Sequence, residues 1–204
     1  MAMQSARSGS NSRHVSLVAL PDAVVSTLFG IYDVINAVAL TRMPNAASGA
    51  PAPFHIDIVG EAEGHLELAS GVPINVQRAI SAIETSDIVI VPSLLLRPER
   101  WEKGRYHHLV DWVHTIYDRG AVLCSACSGI FLLAETGLFD GKDATVHFGY
   151  ARAFADAYPA VPIHPERVLV VSGSRDELVS SGASTSWHDL VLYLIARYAG
   201  STTA

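Results

Sequence analysis

Cysteine is scarce in this 204-residue chain, which carries only Cys124 and Cys127. Two thiols three positions apart provide no disulfide framework, and such usage fits a reducing compartment. Charge is sparse too, at 17% of residues with a formal balance of −6, and the pI lies near 5.8. An acidic balance speaks against a nucleic-acid-binding surface on these residues. No apolar run reaches the roughly 18 residues of a membrane span, because Asp33 and Asn36 interrupt the longest candidate. The opening MAMQSARSGSNSRH is polar and serine-rich without an apolar centre. It reads as a disordered tail over residues 1–13, not as a signal peptide, and the expected location is cytoplasmic. Internal repeats, a glycine-rich phosphate loop and the HExxH zinc pattern are all missing, so neither a cofactor nor a metal is expected.

What is present is a domain-sized apolar content: 50% of the residues are hydrophobic, enough to bury a sizeable core over residues 14–200. Short β-type runs alternate with helical periodicity along the whole chain. Strands are expected over 14–20, 54–59, 88–91, 121–124, 168–172 and 178–180, with a small hairpin over 66–76. Helices are expected over 23–40, 101–118, 128–137, 148–158 and 184–199. Residues 42–53, rich in Pro, Ala, Gly and Asn, read as a loop. The run DIVIVP around Ile88–Val91 has no polar alternation, as in a strand covered on both faces. The expected fold class is therefore α/β, an open and mostly parallel sheet with helices on both faces. Ligands in such sheets lie at the carboxyl ends of the strands.

The chain is organised around AVLCSACSGIFLLAETG, residues 121–137. An apolar strand stops at small residues, and a segment with helical spacing follows at once. Cys127 stands at the corner with Ser125 and Gly129 two positions to either side, close to the pattern of a nucleophile elbow. The amides of a following helix would favour thiolate there. An ordinary buried cysteine at a strand end could carry the same residues. Cys124, inside the strand, reads as core and not as half of a redox pair.

A thiolate needs a group to manage its proton. His147, in the apolar stretch ATVHF, is either that partner or a core histidine bonded to the backbone. His107, Asp111 and His114 share one face of the 101–118 helix, but that face lies opposite the apolar stripe and reads as solvated surface.

Several segments together resemble the ThiJ/PfpI group of the class I glutamine amidotransferase-like superfamily. They are LPDAVVSTLFGIYDVINAVAL with Gly30 and Asp33, CSACSGIFLLAETGLFDGKDAT, VHFGYARAF, HPERVLV and SSGASTSWHDLVLYLIARYAG. The resemblance spans about residues 14–200 and implies a flavodoxin-like sheet with a cysteine elbow. Within the group the chain looks most like the sensor domain that precedes the DNA-binding module of AraC-type regulators. The same architecture also serves isonitrile hydratases.

Carried over by resemblance, Cys127 is the elbow cysteine and His147 the pocket histidine. Ser93, Leu94 and Ser128 fall where oxyanion-hole amides are supplied. Three departures stand out. Thr27 occupies the place of an enzyme's acid, Ser93-Leu94 replaces a glycine pair, and Ser128 replaces the histidine of protease-like members. A threonine hydroxyl cannot deliver a proton near neutral pH, though it can hydrogen-bond a ligand. The resemblance thus implies a small-molecule sensing domain with little or no catalysis, binding its ligand through Thr27, Ser93, Leu94 and Ser128 beside Cys127 and His147. It also implies a homodimer that reaches DNA only through a C-terminal module absent from these residues, with 201–204 as tail or linker and no membrane partner. The alternatives it leaves open are a cysteine-dependent hydratase or hydrolase and a sensor whose Cys127 is oxidised.

Overall fold

In a computed structural model that describes residues 12–41, 52–96 and 101–204, seven strands form one sheet. They are β1 (Arg13–Val18), β2 (Phe54–Gly60), β5 (Arg78–Ala79), β6 (Ile88–Val91), β7 (Val122–Ala126), β8 (Leu169–Ser172) and β9 (Leu178–Ser181). Their order is β5-β2-β1-β6-β7-β9-β8, parallel throughout except for β8, which runs antiparallel to β9. A separate antiparallel hairpin of β3 (Gly64–Glu67) and β4 (Pro73–Val76) follows β2. The helices are α1 (Val25–Thr41), α2 (His107–Asp118), α3 (Ile130–Ala134), α4 (Ala151–Ala157) and α5 (Trp187–Ala199).

The apolar run of β6 explains the layering. Its side chains alternate across the sheet with a period of two. Val89 and Val91 join the core under α2, α3 and α4, whereas Ile88 and Ile90 join the core under α1 and α5. The second layer depends on close contact between α1 and α5. A Cβ on Gly30 of α1 would come within 2.5 Å of the Trp187 ring. From β1 the chain moves outward to β2 and β5, then returns past β1 to β6. The order therefore reverses between β1 and β6, where open sheets leave a crevice at the carboxyl ends of their strands.

The expected elements form with shifted starts. Arg13, placed in the tail, already pairs with Phe54 in β1. Residues 101–106 turn before α2 begins at His107, and the ATVHF stretch holds only an isolated bridge at Ala144–Ile163. The segment after Cys127 opens as a 3₁₀ turn, Cys127–Gly129, before the short α3. The rest of the expected tail and the 42–51 part of the loop lie outside the described residues. No helix among the described residues is long and apolar enough to cross a membrane.

Candidate functional site

β7 ends at Ala126, and Cys127 takes φ 52°, in the left-handed region. That backbone costs a non-glycine residue roughly 1–2 kcal/mol. The neighbouring Gly129 shows why small residues are needed around it. A Cβ there would lie 2.5 Å from the carbonyl oxygens of both Val91 and Pro92. The corner is pressed against the end of β6, and only a bare backbone fits.

All six residues singled out from the sequence line one cavity of about 210 Å³ at the carboxyl edge of the sheet: Thr27, Ser93, Leu94, Cys127, Ser128 and His147. Thr27, Ser93, Leu94, Cys127 and Ser128 are buried, and His147 is half-buried. Loop residues 93–95 are laced to the segment after β1. The Val24 amide donates to Ser93 O at 2.8 Å, and the Leu95 amide donates to Asp22 O at 2.7 Å.

Inside this frame the Ser128 hydroxyl accepts from the Leu94 amide at 2.8 Å and donates to the Leu94 carbonyl at 2.7 Å. The Leu94 amide is thereby occupied. The oxyanion donor expected at Leu94 is closed by the serine that follows the cysteine.

Burial pushes the Cys127 thiol above its ordinary range, although the Ser128 amide and hydroxyl, the Ser93 hydroxyl and the His147 amide all favour the thiolate. The amide of the 3₁₀ turn at Ser128 does approach the sulfur, yet desolvation outweighs it. Cys124 is fully buried among apolar neighbours, and its thiol is likewise raised. Both cysteines are free.

His147 brings its main-chain amide to the sulfur. Its Nδ1 accepts from the Gly149 amide at 3.1 Å and caps the 3₁₀ turn Phe148–Tyr150. The ring stacks on Phe148, with centroids 4.4 Å apart, and Phe148 is 74% exposed at the rim. An accepting Nδ1 places the neutral ring's proton on Nε2.

Among the described residues the cavity lining holds no carboxylate. Asp22, whose main chain braces the Leu95 loop, directs its buried carboxylate to Arg105 at 2.6 Å and to the Tyr106 hydroxyl at 2.8 Å. Tyr150 and Ser184 also line the cavity. Both stand in segments that carry the resemblance, but Ser184 arrives from the loop after β9 and Tyr150 from the turn that His147 caps, so spacing alone links neither to the cavity. The helix face of His107, Asp111 and His114 forms no cluster. His114 instead pairs with Asp118 at 3.3 Å.

Residues 28–197 match the DJ-1/PfpI family. The chain belongs to the DJ-1/PfpI family.

Among curated relatives, the HTH-type transcriptional regulator CdhR of Pseudomonas aeruginosa is 29% identical over 186 residues, covering 86% of this chain and 49% of that protein. The HTH-type transcriptional regulator GbdR of the same species is 35% identical over 82 residues, covering 40% of this chain and 21% of that protein. The chain thus spans half or less of the length of these regulators. In three dimensions it superposes on an AraC family transcriptional regulator from Pseudomonas putida with TM-score 0.72 at 17% identity, covering 94% of this chain and 95% of that one. Oxidised DJ-1 from Toxoplasma gondii gives TM-score 0.70 at 20% identity, with 94% of each chain covered. At such identities the likeness carries the flavodoxin-like fold of this DJ-1/PfpI domain and nothing about its chemistry.

Proposed function

We propose that this DJ-1/PfpI domain is the small-molecule sensing domain of an AraC-type transcription regulator, with little or no catalytic turnover. It acts in the cytoplasm as a homodimer, and DNA is contacted by a separate C-terminal module. The observation that carries this reading is the closure of Leu94 by Ser128 in a cavity whose described lining holds no carboxylate. Thiol chemistry on a small substrate needs a proton donor and a pair of free amides for developing negative charge. Here Thr27 stands where an acid is required, the Leu94 amide is occupied, and the thiol is held protonated. Hydroxyls of Thr27 and Ser93 on apolar walls remain suited to orienting a small polar ligand.

The test is a thermal-shift screen of small metabolites, isonitriles and amides included, with each hit followed by chromatography of the compound. The expected result is a ligand that raises Tm, is recovered unchanged, and loses its effect in Thr27→Val. Consumption of an isonitrile or amide that stops in Cys127→Ala would overturn the sensor reading. That outcome would establish a cysteine-dependent hydratase or hydrolase, a reading favoured by the positive φ of Cys127 and the two amides at its sulfur.

A further inference from the structure

At the opposite end of the sheet, three side chains converge that the cysteine cavity does not use. His14 is the second residue of β1, His55 the second of β2, and the register places the two directly beside each other. Asp57 lies two residues beyond His55, so both β2 side chains leave the same face of the sheet. The imidazoles stack with centroids 5.8 Å apart and planes 25° apart. His14 Nε2 lies 3.0 Å from Asp57 Oδ2, and His55 Nε2 lies 3.3 Å from Asp57 Oδ1. One donor atom from each residue falls within 4.8 Å of the other two.

We propose that His14, His55 and Asp57 form a binding site for a divalent transition-metal ion of the zinc class. Two imidazole nitrogens and one carboxylate suit Zn²⁺, Co²⁺ or Ni²⁺ better than Mg²⁺ or Ca²⁺, which take mostly oxygen. Ligand bonds of about 2.1 Å set tetrahedral donors roughly 3.4 Å apart, so the trio reaches that geometry with small side-chain rotations. The backbone need not move, because pairing of β1 with β2 already holds the three Cα atoms in place. Asp57 is buried, His14 is partly covered and His55 is open, with side-chain exposures of 11%, 19% and 67%. An ion would enter from the His55 side and keep water in its remaining position.

Arg78 sets the strength of the site. Its guanidinium lies 3.3 Å from Asp57 Oδ2 and also donates to Ala82 O at 3.0 Å. A fixed cation beside the carboxylate opposes a second one. The site therefore binds weakly, and removal of the guanidinium tightens it.

The experiment is calorimetric titration of the untagged full chain with ZnCl₂, together with Co²⁺ visible absorption as a report of coordination geometry. One equivalent of metal is expected to bind. Affinity should fall tenfold or more in His55→Ala, whose exposed side chain is dispensable for folding. It should stay unchanged in His107→Ala and rise several-fold in Arg78→Ala. Circular dichroism on each variant separates loss of metal from loss of fold. Absence of saturable binding, or equal affinity in the native chain and His55→Ala, would overturn the proposal and leave the trio as an ion-pair cluster.

Discussion

The hydroxyl of Ser128 holds both polar groups of the Leu94 peptide backbone, accepting from its amide at 2.8 Å and donating to its carbonyl at 2.7 Å. This pair ties the corner after β7 to the loop after β6 in a fully buried setting. It also decides what the cysteine cavity offers a ligand, namely hydroxyls and a protonated sulfur instead of an open amide.

Replacing Ser128 by alanine leaves the Leu94 amide and carbonyl without these partners. A buried polar group that loses its partner costs about 1–3 kcal/mol. Ser128→Ala is expected to lower the urea midpoint without changing the slope of the transition. Hydrogen exchange should then show a faster Leu94 amide. An unchanged midpoint with Leu94 still protected would mean that the serine is not the lock.

Thiol reactivity provides a second check. With the Cys127 thiol raised by burial, iodoacetamide labelling of the native chain at pH 7 should be slower than that of glutathione. The rate should climb only as the pH passes above the ordinary thiol range, since thiolate is the nucleophile. Cys124, fully buried, should label only after denaturation. Peptide mass spectrometry resolves the two sites. Rapid labelling of Cys127 at pH 7 would show that the neighbouring amides win over burial.

Gly129→Ala tests the close approach at the corner. The added methyl would meet two carbonyl oxygens at 2.5 Å, both belonging to backbone that cannot swing away. Overpacking of this kind costs about 1–3 kcal/mol, and Tm should fall by several degrees, as measured by calorimetry. Cys127→Gly should have the opposite sign, because glycine relieves the positive φ at that position.

The turn joining β8 to β9 carries a pH signature. Glu177 is buried, yet its carboxyl is held below the ordinary 4.5, because hydrogen bonds from the Arg175 amide and the Tyr117 hydroxyl outweigh the upward push of burial. A carboxyl lowered on folding contributes stability above its unfolded pKa. That contribution is lost as pH falls through the folded value. Glu177→Gln should therefore be less stable than the native chain at pH 7, by about 1–2 kcal/mol for the charged hydrogen bonds. The two should converge under acid. Urea melts at pH 7 and pH 3 measure both points, and equal deficits at the two would remove Glu177 from the pH dependence.

Much of this protein is written locally in its sequence. The unbroken Ile88–Val91 run reads as a strand covered on both faces, and the small residues around Cys127 read as a cramped corner. Residue type and period encode burial and secondary structure, because those depend on what a side chain is and where its neighbours along the chain point.

Partner choice is different, since it depends on distances set by packing between segments remote in sequence. Leu94 and Ser128 are separated by 34 positions, and nothing in either segment states that the hydroxyl would close the amide. The His147 ring could face the sulfur or the backbone, and its Nδ1 accepts from Gly149 two residues on, a pairing set by the turn that follows. His14 and Asp57, 43 positions apart, meet only because β1 and β2 pair in one particular register. The Ser128 amide near Cys127 was foreseeable from a corner at the end of a strand, but the depth of burial that overrules it was not. Desolvation is a property of the assembled layers around the sulfur, and no single stretch of chain carries it.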